Sequence, residues 1–436
     1  MREGYFNEFR KYAVANVLGM LGLSCYILAD TYFVSKGLGT QGLAALNLAI
    51  PIYNMIHGCG LMLGMGGATK YSVYRAQEDR RGEKMFANTL GILAVFGGVF
   101  MATGLCFAGE LASLFGGEGA VREMAETYLQ VMLLFSPAYL LNDVLICFIR
   151  NDGNPRLSMI SMLVGSFTNI VLDYVFIFPM HMGMFGAVLA TGCAPFAGMA
   201  VSLVHFVRGK NQFYWIGMLP EFRLSWDTVV LGIPSLVTEI SSGIVIIVFN
   251  ILILGIAGNV GVAAYGVVAN ISLVVVAVFT GVAQGMQPIV SRTQGKGEME
   301  GARRVLRYGV VTVLAISFLV YALVFFGTDY MVSVFNSEKN LAMASMAGLG
   351  LRLYFAGISF MGINIVLSMY FAASERVLPA QAVSLLRGIV LVLPMAFALS
   401  FLAGIVGVWL AVPATELMVT VIGVWLYHNW SNKLSV

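Results

Sequence analysis

The chain has 436 residues, 59% of them hydrophobic and 11% charged, with a net charge of +3 and a mean hydropathy of +0.86. A soluble domain carries roughly 25% charged residues, so the composition excludes one and points to a polytopic membrane protein. The small basic excess argues against nucleic-acid binding, because the cations sit in short loops where they set topology.

Twelve apolar stretches have the length of spanning helices, about 18 residues or more. Span 1 covers 12–35 and carries Asp30; span 2 covers 43–69, with Gly60-x-x-x-Gly64. Span 3 is 87–109, span 4 is 124–149 with Asp143, and span 5 is 158–179 with Asn169 and Asp173. Span 6, 184–207, holds Thr191; span 7, 227–257, holds Glu239; span 8, 261–290, holds Gly281-x-x-x-Gly285. Spans 9 to 12 are 308–327, 341–372 with Arg352, 380–403 with Arg387, and 404–427 with Glu416. Met1–Lys11 is polar and lacks a small-residue cleavage site, so no cleavable leader is expected. With the N-terminus inside, twenty Lys and Arg fall in inside segments, and only Lys36, Arg122 and Lys339 in outside loops. Both termini are therefore expected in the cytoplasm.

The chain repeats at half its length. Tyr74-Arg75-Ala76-Gln77 answers Ser291-Arg292-Thr293-Gln294, Gly42-Leu-Ala-Ala45 answers Gly261-Val-Ala-Ala264, and Gly183-Met-Phe-Gly186 answers Gly404-Ile-Val-Gly407. Pro155 answers Pro379. Six spans per half make the repeats parallel about an axis along the membrane normal. Two lobes are expected, 1–215 and 216–436, with an alternating-access cleft between them.

A carboxylate in hydrocarbon costs at least about 2.5–3.5 kcal/mol, so ionisable groups there are functional candidates. At about 1.5 Å per residue, Asp30, Asp173 and Thr191 fall in one outer layer of the first lobe. Asn169 shares the face of Asp173 one turn below it. Such an oxygen-rich cluster suits a shared proton or a Na⁺ ion. The second lobe has kept neither carboxylate, since the answering positions are Phe249–Asn250 and Leu391–Phe397. Asp143, Glu239, Arg352, Arg387 and Glu416 form a second set with structural or gating roles. Glu239, Arg352 and Glu416 fall near the midplane, where Arg352 is expected to pair with Glu416 or Glu239. Asp143 and Arg387, each near the inner face of its lobe, could pair between lobes and close that side.

The five cysteines read as small core hydrophobes, and the four histidines are scattered singly and none reads as a ligand. No zinc spacing, P-loop, nucleophile elbow or dinucleotide fingerprint occurs, so no cofactor, ATP drive or enzymatic activity is expected. Pro51, Pro137, Pro195, Pro234, Pro288, Pro394 and Pro413 interrupt the spans.

Several segments together resemble the multidrug and toxic compound extrusion (MATE) family, over nearly the whole chain. They are Leu28-Ala-Asp30-Thr-Tyr-Phe33-Val34, Phe148-Ile-Arg150-Asn-Asp-Gly153-Asn-Pro155 and Asn169-Ile-Val-Leu172-Asp173-Tyr-Val-Phe176. Gly186-Ala-x-x-Ala190-Thr191 and Gly407-Val-Trp409-Leu-Ala-x-Pro413-x-x-Glu416 complete the set. The pattern is most similar to the bacterial DinF/MepA-like branch. The resemblance implies two six-helix bundles forming a V in a prokaryotic plasma membrane. It implies export of amphipathic, mostly cationic organic compounds in exchange for H⁺ or Na⁺, with Asp30, Asn169, Asp173 and Thr191 holding the coupling ion. A Glu that other branches place two turns after the span 7 proline is not matched, since Glu239 stands five residues past Pro234. The rival reading is a flippase or exporter of lipid-linked or metabolite cargo in the same superfamily. A monomer is expected.

Overall fold

A computed structural model describes residues 2–335 and 340–433, and within them every regular element is a helix. Lys339, one of the three outside cations, lies outside the described residues. Two helices are too long for any bilayer. α1 (Arg2–Ala76) and α7 (Phe222–Gly295) each run about 110 Å at 1.5 Å per residue, against a hydrocarbon core of about 30 Å. Each turns back at a glycine, Gly39 (φ 68°, ψ −159°) and Gly258 (φ 62°, ψ −159°). A residue with a Cβ is strained in that conformation, and glycine is not.

Four further helices, α2 (Arg81–Leu114), α5 (Pro155–Ile177), α6 (Gly183–Val207) and α8 (Met299–Phe335), cross singly. α3 (Gly119–Leu134) and α4 (Ser136–Asn151) form one pass bent by 50°, and α9 (Leu341–Phe355) and α10 (Ile358–Ala373) form one bent by 47°. Pro137 at the start of α4 withholds a backbone donor from the preceding turn and explains the first bend. α11 (Val377–Leu385) leads through a π-turn, Leu386–Val390, into α12 (Val392–Lys433), which breaks at Ala403–Gly404. Counted by passes, α1, α7 and α11–α12 each supply two, and the total is the expected twelve.

The repeat is also written in the backbone. Left-handed residues recur at matching places: Gly39 and Gly258, Glu78 and Gly297, Gly153 and Glu375, Gly183 and Gly404. The two bent passes, spans 4 and 10, correspond as well. One core gathers spans 1–6 with Phe213 and Leu224, and the other gathers spans 7–12 with Phe9, Tyr12 and Ala13 from the start of span 1.

The halves meet through glycines. Gly281 and Gly285 of span 8 lie so close to span 1 that an added Cβ would sit 2.6 Å from the Cα of Val17 and Ala13 respectively. Gly66 of span 2 and Gly232 of span 7 press against the carbonyls of Thr228 and Met62, leaving no room for a methyl group. Gly281-x-x-x-Gly285 thus packs within the monomer, as its small-residue pattern suggests. All these contacts lie toward the face that carries both termini, called here the terminal face. Ion pairs reinforce it: Arg292 to Glu8 at 2.8 and 2.7 Å, and Lys70 to Glu375 at 2.6 Å. Burial works against the Lys70 ammonium, but the bond to Glu375 and the charges of Glu375 and Asp227 together outweigh it and raise its pKa above the ordinary lysine value. Toward the far face, Tyr32, Ile247, Ile251 and Leu254 are exposed, and the halves splay into a V.

Candidate functional site

The outer layer of the first half assembles as its depth predicts. Asp30, Asn169, Asp173 and Thr191 are all buried, and the Asp173 and Asn169 side chains have no solvent exposure. The Asn169 amide donates to the Thr191 hydroxyl at 3.3 Å, and that hydroxyl donates in turn to the carbonyl of Ala187 at 3.1 Å. The Asp30 and Asp173 carboxyls are close neighbours in this layer. Asp30 Oδ1, Asn169 Oδ1 and both Asp173 oxygens have no other partner. Two carboxylates in contact satisfy each other only when a proton or a cation lies between them. The donor set fits either one, because it offers oxygens from carboxyl, amide and hydroxyl groups. Among the described residues no group of three or more His, Cys, Asp and Glu could hold another metal.

A second cluster lies deeper, where the halves touch. His57 Nδ1 and Asp143 Oδ2 are 2.9 Å apart. The Tyr53 ring stacks on His57 with centroids 6.0 Å apart, and Tyr139 meets Tyr53 edge-on. Tyr26 and Tyr53 share a hydroxyl–hydroxyl bond. Glu239 reaches this cluster from the other half: its Cβ would lie 3.1 Å from a methyl group placed on Gly58. In the sequence His57 stands alone and does not read as a ligand. Its partner is 86 positions away, and no local spacing announces it.

Arg150, which the sequence shows only as part of a motif, is fully buried. Its guanidinium meets no carboxylate: it donates to Asn16 at 2.6 Å, to Gln284 of the other half at 2.8 Å and to the sulfur of Met65 at 2.9 Å. Nearby, Asn151 and Gln287 bridge the halves at 2.9 Å, and Gln287 also donates to Thr69. Below them Asp152 is a buried hub, accepting from Tyr71, Arg75 and the backbone of Gln212, with His205 Nε2 at 2.9 Å. None of these roles is legible in the sequence.

The second set of charges needs correction. Asp143 and Arg387 do not pair across the halves, because each has a partner in its own half. Arg387 binds Glu416 at 2.8 Å, and Asn364 closes the site by donating to the Glu416 side chain at 2.6 Å. Arg352 therefore pairs with neither Glu416 nor Glu239. It is exposed, and its guanidinium lies 5.7 Å from the Phe325 ring, near the far end of the apolar stretch.

Comparisons with known proteins agree with this geometry. A profile of the MatE family matches residues 16–175 and 234–413, one block in each half. The multidrug export protein MepA of Staphylococcus saprophyticus is 24% identical over 406 residues, covering 91% of this chain and 87% of that protein. Among solved structures, an outward-facing multidrug resistance MATE transporter of the MOP superfamily superposes with a TM-score of 0.92 at 20% identity. It covers 98% of this chain and 96% of its own. A MOP superfamily transporter from Pyrococcus furiosus, described as having a binding pocket of reversed polarity, gives 0.90 at 21%, covering 97% and 95%. The paired family blocks, twelve spans and matching backbone breaks make this chain a member of the MatE family, a multi-pass membrane transporter and not an enzyme.

Proposed function

We propose that the protein is a secondary antiporter that exports amphipathic, mostly cationic organic compounds in exchange for H⁺ or Na⁺, across a prokaryotic plasma membrane with both termini in the cytoplasm. Residues 1–215 and 216–436 act as the two rocking lobes, in a monomer. The observation that carries this reading is the facing pair Asp30 and Asp173, buried with Asn169 and Thr191 and holding several oxygens without partners. A proton or Na⁺ entering from the far face neutralises that layer, and the drug leaves. The ion is released inside once the lobes have rocked. Coupling requires that drug and ion differ in their affinities for the two states. The preponderance of Lys and Arg on the terminal face supports the orientation.

Cationic cargo is supported by the charge balance within the spans: Asp30, Asp143, Asp173 and Glu239 lie there, while Arg387 and Glu416 pair with each other. A flippase for pyrophosphate-linked sugars needs the opposite polarity, a site rich in cations. The test is purified protein in acid-inside liposomes with a dye reporting internal pH, given ethidium outside, with and without Na⁺. Ethidium-dependent proton exit that is lost in both Asp30→Asn and Asp173→Asn is the expected result. Coupling seen only under a Na⁺ gradient keeps the site and names the ion. No response to several drugs under either gradient sinks the reading.

A further inference from the structure

We infer that spans 1 and 5 form, at their terminal-face ends, a binding site for one anionic phospholipid, whose phosphate is held by Arg10, Lys11 and Arg156. Such a site is independent of the ion that drives export. A groove of about 530 Å³ opens between the two helices, lined by Arg10, Lys11, Val14 and Leu18 of α1 and by Arg156 and Met159 of α5. Residues 11, 14 and 18 recur at helical spacing and share one face of α1. The opposite face is taken: Phe9, Tyr12 and Ala13 belong to the core of the second half, and Glu8 pairs with Arg292. α1 is therefore held by protein on one side and bare on the other. Toward the membrane interior the groove is closed, because Gly19 and Gly22 let spans 1 and 5 touch. A methyl group on them would lie 2.8 Å from Met162 Sδ and 2.6 Å from Leu163 Cδ2.

The chemistry of the groove changes along its length. Three cations from two helices converge at the terminal end. Below them Val14, Leu18 and Ile160 are 54%, 45% and 43% exposed. A phospholipid has the same order, a charged head and then an acyl chain. Exposed apolar side chains alone are ordinary in a bilayer, so the charge carries the assignment. Elsewhere on the terminal face cations are met by carboxylates of the protein: Arg292 by Glu8, Lys70 by Glu375, Arg75 by Asp152, Arg81 by Asp79 and Lys84 by Glu221. Among the described residues Arg10, Lys11 and Arg156 enter no ion pair, and neither Asp nor Glu lines their groove.

Three neighbouring positive charges repel, and an anion placed between them removes that cost. Arginine forks match phosphate oxygens two at a time, and lysine adds a point charge. Arg156 is also the second residue of α5, whose N-terminus carries a partial positive charge. Basic pockets between spanning helices at this depth suit anionic head groups. A free phosphate would answer the cations and leave the apolar length of the groove empty. A phospholipid answers both, and the bilayer already supplies it at the right depth.

The experiment uses the purified full chain in a neutral detergent, with dioleoylphosphatidylglycerol or dioleoylphosphatidylcholine added. Native mass spectrometry counts bound lipid, and the melting temperature is read in parallel, since a ligand of the folded state raises it. The expected result is one phosphatidylglycerol bound at least tenfold more tightly than phosphatidylcholine, with the higher melting temperature. Arg156→Gln weakens that binding about fivefold, and the triple variant with Arg10→Gln and Lys11→Gln loses the preference. Arg156→Gln alone carries the test where the triple variant does not purify. Arg81→Gln with Lys84→Gln, which removes cations of the same face outside the groove, keeps the preference. Equal binding of the two lipids overturns the site. An equal loss in Arg81→Gln with Lys84→Gln assigns the effect to diffuse charge and also overturns it. Displacement of the lipid by an equal concentration of inorganic phosphate overturns it in favour of a free anion.

Discussion

At the scale of single residues, the proposed ion site is built from groups of unequal weight. The two carboxyls carry the charge, while Asn169 supplies a neutral oxygen with no other partner. A neutral hydrogen bond contributes about 1 kcal/mol net, or roughly 0.7 of a pH unit at 1.36 kcal/mol per unit. Asn169→Ala removes an acceptor from the protonated form, so it weakens proton binding. Half-maximal ethidium exchange should move acid-ward by about 0.5–1 unit, read from the pH dependence in liposomes, with the maximal rate retained. Counting residues from the helix ends is enough to place Asp30, Asp173 and Thr191 in one layer, because depth in a straight helix is arithmetic. The pairing of His57 with Asp143 and the placement of Arg150 are not legible in that way. The first depends on two helices meeting at Gly60, where Asp143 fills the space a methyl group would take. The second depends on the halves closing over a residue that stands just past the apolar run of span 4.

At the scale of elements, the breaks in the helices decide which side chains meet. Gly39 and Gly258 are visible in the sequence as soft boundaries, and Pro137 as a break, since glycine and proline act locally. The π-turn at Leu386–Val390 is not, and it is the reason the sequence mispairs the C-terminal charges. A π-turn inserts a residue and rotates the rest of the helix, and here it brings Arg387 to face span 12 and Glu416. That pair has side-chain exposures of 13% and 5% and is closed by Asn364. Removing one member leaves a buried charge alone, at about 3–5 kcal/mol, whereas replacing both with apolar groups of similar volume is often neutral or better. Glu416→Gln should therefore lower the melting temperature of the purified protein substantially. Arg387→Met with Glu416→Leu should restore most of it, and a double variant less stable than either single one would refute a purely structural pair. The corresponding spans of the first half, 5 and 6, carry Asn169 and Thr191 instead.

At the scale of the whole molecule, the question is what holds the terminal face shut. Salt bridges are the obvious candidates, but Arg292 is 40% and Glu8 27% exposed at the side chain, and exposed pairs contribute about 0.2–1 kcal/mol each. The glycine seams weigh more. At Gly66 an added methyl group collides with the Thr228 carbonyl, a backbone atom that cannot rotate away. Gly66→Ala must separate spans 2 and 7, and with them the terminal face, while Lys70→Ala or Glu8→Ala shifts the balance less than about fivefold, the equivalent of about 1 kcal/mol. Cys147 reports the difference, since it is 1% exposed and packed beneath Gly64. With Cys25, Cys59, Cys106 and Cys193 replaced by alanine, its labelling by a membrane-permeant maleimide should accelerate at least tenfold in Gly66→Ala and only slightly in the charge variants. Faster labelling in Lys70→Ala than in Gly66→Ala would mean that ion pairs, and not backbone contact, close this face. Arg150, three residues from Cys147, holds the same seam from within, since its bond to Gln284 spans the two halves.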